Sequence, residues 1–259
     1  MTDLEPWPLA FDLHDSRPLL VLIHAFPLDR RMWRWQAEPL SDAARILTVD
    51  LPGFGESAAP PASATLDEWA DELENLLDDL VGGDPVVVGG LSMGGYVALR
   101  LAELHPERLE ALILADTRAG ADSEEGRAAR DQAIFQVRRH GTPAVVEGLL
   151  PRLLSPEASP DVVAFAREIM LEQRPEVIAA ALAAMRDRPD SSHILASIRV
   201  PTLVIVGDAD TLTPPSEAEA MARALADSWL VKIPRAGHLA NLEAPDQFNA
   251  AVAAFLQSL

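Results

Sequence analysis

The sequence contains no cysteine. Disulfides, thiolate nucleophiles and cysteine-held metals are therefore excluded. Lysine is nearly absent too: Lys232 stands alone, and every other basic side chain is arginine. With 21 basic against 40 acidic residues the formal charge is −19, which repels phosphate backbones and argues against a nucleic-acid partner. No apolar run approaches the roughly 20 residues of a membrane span. The opening residues Met1–Pro6 lack the basic and apolar regions of a secretion signal. The expectation is a soluble cytoplasmic protein without membrane partners.

What remains is 259 residues, 49% of them hydrophobic, which excludes general disorder and suits one α/β domain. Short, mostly apolar runs recur: Leu19–Ile23, which is wholly apolar, Ile46–Val49, Pro85–Val88, Leu109–Leu114, Thr202–Val206 and Trp229–Ile233. Such runs fit strands buried on both faces. Helical spacing lies between them. Leu66, Trp69, Ala70, Leu73, Leu76, Leu77 and Leu80 form a continuous stripe. Segments 93–104, 216–226 and 246–257 also read as helices. Alternation of this kind predicts a mostly parallel sheet covered on both faces, with active groups beyond the C-terminal strand ends. The acidic residues Asp67, Glu68, Asp71, Glu72, Glu74, Asp78 and Asp79 read as a solvated helix face.

Residues 118–190 interrupt the alternation. They are helical in character and punctuated by prolines, and hold 12 acidic against 10 basic residues. We read them as a helical cap inserted into a core formed by 1–117 and 191–259; an ordinary extra helical layer is the alternative.

After the third apolar run comes Gly90-Leu91-Ser92-Met93-Gly94, followed by a helix. This is G-x-S-x-G between strand and helix, where a serine sits on a strained turn and the glycines permit close approach. Ser92 is the candidate nucleophile. The helix N-terminus beside it suits a transient oxyanion. A serine hydroxyl needs a base, and His238, just beyond the last strand, is placed best; His24 ends the first apolar run, and His105 reads as a capping or surface residue. The base needs an orienting carboxylate. On spacing alone Asp208 and Asp210 compete, with Asp116 as a third possibility. Oxyanion donors are expected from the backbone N–H of Met93 and of Phe26, in the loop after the first apolar run.

These features resemble the α/β-hydrolase superfamily over nearly the whole chain. The motifs are His24-Ala25-Phe26-Pro27, Asp50-Leu51-Pro52-Gly53-Phe54-Gly55-Glu56-Ser57, Gly207 to Asp210 with Pro214, and Gly237-His238 with Glu243 and Pro245. The resemblance implies the fold, the order serine, acid, histidine, and Asp210 rather than Asp208 as the acid. It is strongest to small bacterial carboxylesterases, with enol-lactonases and cofactor-free haloperoxidases or perhydrolases close by. It implies hydrolysis of a small ester through an acyl-enzyme, without metal or organic cofactor. An oxoadipate-type lactone is the alternative substrate, perhydrolysis a side activity, and a ligand receptor the non-enzymatic alternative. Two departures stand out. Ala25 replaces a glycine, which would be strained at positive φ, and the short N-terminus leaves the first antiparallel strand stunted or missing. Pocket walls are expected from Trp33, Phe135, Leu149, Leu150, Met170, Leu171, Met185, Leu212 and Leu239.

Overall fold

The computed structural model describes residues 11–14, 18–59 and 64–259. The opening residues read above, Met1–Pro6, lie outside these. Seven strands, β1 (Phe11–His14), β2 (Leu19–Ile23), β3 (Arg45–Val49), β4 (Val86–Leu91), β5 (Leu109–Ala115), β6 (Thr202–Gly207) and β7 (Ser228–Ile233), form one sheet in the order β1-β3-β2-β4-β5-β6-β7. β2 to β7 run parallel, and β1 pairs antiparallel with β3. The first antiparallel strand is thus present, at four residues.

Side-chain alternation divides the sheet between two cores. Leu19, Val21 and Ile23 face one cluster, Leu20 and Leu22 the other. This is why β2 reads as an unbroken apolar run; β7, at the sheet edge, leaves Trp229 and Leu230 exposed. Helices α1 (Arg34–Leu40), α2 (Leu66–Val81) and α3 (Met93–Leu104) connect the early strands. α2 starts at a capping box, with Thr65 and Glu68 each satisfying the other's backbone N–H. Its acidic face is only partly solvated: Arg100 reaches Asp67, His105 reaches Asp71, and Arg108 holds Glu74 and Asp78. These cations lie some 30 residues downstream, so nothing beside the acidic run in the sequence signals them.

Between β5 and β6 lie α4 (Glu124–His140), α5 (Pro143–Leu153), α6 (Pro160–Glu172) and α7 (Pro175–Arg186). Their apolar faces straddle the sheet's two sides. Val137, Ile178 and Leu182 join one core; Val146, Ala166 and Met170 join the other. Gln173, after α6, donates from Nε2 to Asp29 and accepts from Gly55 N–H, fastening the insert to the loops after β2 and β3. Helices α8 (Pro215–Ala224), α9 (Ala240–Glu243) and α10 (Pro245–Leu256) complete the chain. Among the described residues no helix is long and apolar enough to cross a membrane.

Candidate active site

Three loops leave the C-terminal edge of the sheet and converge. The first is the turn from β4 into α3. Ser92 adopts φ 56° and ψ −112°, a region that side chains rarely occupy. Two glycines make this turn possible. A Cβ on Gly94 would lie 2.2 Å from Ile23 O, and one on Gly90 2.2 Å from Gly94 O. The hydroxyl is therefore lifted out of the sheet with backbone packed tightly beneath it.

The second loop follows β7 and carries His238, whose Nε2 lies 2.7 Å from Ser92 Oγ. The third follows β6. Asp210 Oδ2 lies 2.8 Å from His238 Nδ1. Asp210 also accepts from Leu212 N–H at 2.8 Å, Thr213 N–H at 3.1 Å and Thr213 Oγ1 at 2.6 Å. Burial alone would raise its carboxyl, but His238 and the Thr213 donors outweigh this and hold it below the usual range. The structure thus brings the three residues into one hydrogen-bonded chain. Asp208 is turned away, accepting from Arg235 N–H at the turn after β7.

The loop after β2 closes the other side. His24 is fully buried; its Nε2 accepts from Leu51 N–H and its Nδ1 donates to Ala25 O. Burial pushes its pKa down, which keeps the ring neutral for this paired role. Ala25 is not strained: among the described non-glycine residues only Ser92, Asp116 and Arg235 have positive φ. The N–H of Phe26 finds no acceptor among the described residues. The N–H of Met93 is the first of α3 and has no intrahelical acceptor. These are the two donors that the sequence singled out.

Asp116, considered above as a third acid, has a different position. It is fully buried after β5, with φ 43°, and accepts from Gly207 N–H at 2.8 Å and Ala240 N–H at 3.4 Å. It thereby ties the acid loop to the histidine loop. Burial, with the nearby Asp210 charge, pushes its pKa well above the usual carboxylate range. Glu243 works alongside it, accepting from Gly237 N–H and from Ser155 N–H at the end of the insert. Replacing Asp116 by alanine leaves two buried N–H groups unpaired and should cost about 2 kcal/mol. Asparagine keeps an acceptor. The raised carboxyl makes the wild type bind a proton that the unfolded chain releases, so its stability falls as pH rises above the ordinary carboxylate range. Thermal unfolding should therefore show any advantage of wild type over Asp116→Asn shrinking from pH 4 towards neutrality; a gap that widens would contradict this.

Above Ser92 and His238 lies a cavity of about 470 Å³, within the usual size of small-molecule sites. Leu149, Met185 and Leu212 line it, with Phe26 and Tyr96. Six of the expected wall residues do not. Trp33 is buried against Phe248, and Leu150, Met170 and Leu239 pack in the same core. Leu171 packs on that core too. Phe135 is 53% exposed on the outer face of α4, beneath Arg139. Helical spacing marks a residue as apolar without saying which neighbour covers it. Thr213 and the polar wall of the cavity belong to no apolar stripe and left no such signal, and Glu243 stood in a motif without an assigned role. Among the described residues no group of three or more His, Asp and Glu is placed to hold a metal ion.

A serine elbow at the C-terminal edge of a mostly parallel sheet, facing a histidine and a carboxylate from later strands, defines a class of fold and site together. The chain belongs to the alpha/beta hydrolase family, whose pattern matches residues 20–251. A thermophilic esterase from Thermogutta terrifontis is 42% identical, with a TM-score of 0.93 over 96% of this chain and 93% of that one. The enol-lactonase from Burkholderia xenovorans LB400 is 30% identical, with a TM-score of 0.89 over 96% of each chain. The dihydrolipoyllysine-residue acetyltransferase component of the acetoin cleaving system of Pseudomonas putida is 31% identical over 241 residues. The match takes in 92% of this chain but 63% of that relative, so the chain spans just under two thirds of its length.

Proposed function

We propose that this protein is a serine carboxylesterase acting on short- to medium-chain esters through an acyl-enzyme. The observation that carries the reading is the 2.7 Å approach of Ser92 Oγ to His238 Nε2 at the base of the cavity. His238 takes the hydroxyl proton as Ser92 Oγ bonds to the ester carbonyl carbon. Asp210 fixes the ring tautomer and stabilises the imidazolium. The Phe26 and Met93 N–H groups stabilise the developing oxyanion. Collapse of the tetrahedral adduct breaks the bond to the alkoxy oxygen, which His238 protonates. Water then repeats the sequence on the acyl-serine, releasing the acid and restoring the hydroxyl. Residues 118–190 form the cap whose inner wall selects the substrate.

A series of 4-nitrophenyl esters from acetate to octanoate, together with a lactone, tests the reading. Steady multiple turnover is expected, with kcat in the ordinary enzyme range of about 1–10³ s⁻¹. Binding of these esters without turnover would favour a receptor and overturn the proposal.

A further inference from the structure

The wall of the cavity differs in sign from the rest of the molecule. On a chain of net charge −19, the charged groups lining this space are Arg118, Arg130 and Arg152 with one acid, Asp122. Arg118 and Arg130 both bond Asp122, and Arg188 approaches the same carboxylate at 2.9 Å from behind the wall. The Arg188 guanidinium also stands 4.1 Å over the Tyr96 ring, another lining residue. One carboxylate therefore faces three guanidiniums and balances only one of them. Burial would raise Asp122, but Arg130 and Arg188 hold it below the usual range, so it is ionised and already committed. Arg118 Nε is buried without an acceptor. Arg152, on the α5 side of the cavity, has no hydrogen bond or ion pair among the described residues. A purely structural cluster would place as many acids as the arginines need. This one leaves positive charge and unused donors facing the space above Ser92. A guanidinium fork matches a carboxylate in plane and in charge.

We propose that Arg118, Arg130 and Arg152 form a subsite for a carboxylate carried by the substrate, so that the ester turned over is an anionic one, such as a half-ester of a dicarboxylic acid. The subsite rests on the esterase reading: the carboxylate is held on the insert side while the ester carbonyl meets Ser92. The overall acidity of the protein does not oppose this, because exposed charges more than about 10 Å away are largely screened at ordinary ionic strength.

The test compares mono-4-nitrophenyl glutarate with neutral 4-nitrophenyl valerate, which share an acyl length. The ratio of their kcat/KM values is measured for wild type, for Arg152→Gln and for the Arg130→Gln/Arg152→Gln double variant. The glutarate-to-valerate ratio should fall at least about fivefold in the double variant, since charge-assisted hydrogen bonds to the substrate are lost. A smaller fall overturns the proposal. Arg130 also holds Asp122, so if the double variant does not fold, Arg152→Gln alone decides by the same threshold; its side chain is exposed and holds nothing in place. If wild type hydrolyses neither ester, the esterase reading fails. The subsite is then judged separately by saturation-transfer NMR of glutarate on wild type and Arg152→Gln. A transfer signal that is strong in wild type and lost in the variant supports it; equal or absent signals overturn it.

Discussion

Replacing Ser92 by alanine should leave a folded protein whose kcat on a chromogenic ester is lower by as much as about 10⁶-fold. Folding should survive because the strain at this position belongs to a Cβ at φ 56°, and serine and alanine both carry one. The close contacts beneath the turn involve Gly90 and Gly94, which stay in place. What disappears is the hydroxyl to which His238 Nε2 is bonded. The oxyanion donors and the cavity remain, so a residual rate above the uncatalysed reaction is expected. Steady-state kinetics and a thermal melt of the purified variant check both halves. A variant retaining a tenth of wild-type activity would remove Ser92 from the chemistry.

The second large effect belongs to Asp210. Asp210→Asn should lower kcat by about 10⁴-fold, by analogy with serine proteases. The reason lies in the donors around the carboxylate. Leu212 and Thr213 N–H groups both point at Oδ1. An asparagine keeps its carbonyl oxygen there, which turns its NH₂ towards His238 Nδ1. That nitrogen must then accept, the ring proton moves to Nε2, and Nε2 no longer takes a proton from Ser92. KM should change far less than kcat, because Asp210 does not line the cavity. A loss of less than tenfold in kcat would show that another group orients the histidine.

Much of this was legible in the sequence, and the exceptions have physical causes. The elbow was readable because a steric requirement, two glycines around one serine between a strand and a helix, leaves a local imprint. His238 was readable from its place beyond the last strand. Asp210 could not be separated from Asp208 by spacing, since two residues in one loop differ mainly in which way the backbone turns them. The structure buries Asp210 beside Thr213 and spends Asp208 on the turn at Arg235. The pocket was read least well. Phe135 and Met170 have the same apolar character, yet one faces solvent and the other lies in the core. The arginine wall left only a faint trace, the near balance of charge in residues 118–190 within a strongly acidic chain. β1 was underestimated because four residues carry little pattern of their own; its partner β3 supplies the register.

The proposed mechanism requires His238 to activate Ser92 so that a covalent acyl-enzyme forms. The most direct measurement treats the wild-type protein with a fluorophosphonate and maps the adduct by peptide mass spectrometry. One stoichiometric modification is expected, located on Ser92 and absent from the Ser92→Ala protein. An unmodified wild type, or an adduct on a different residue, would contradict it.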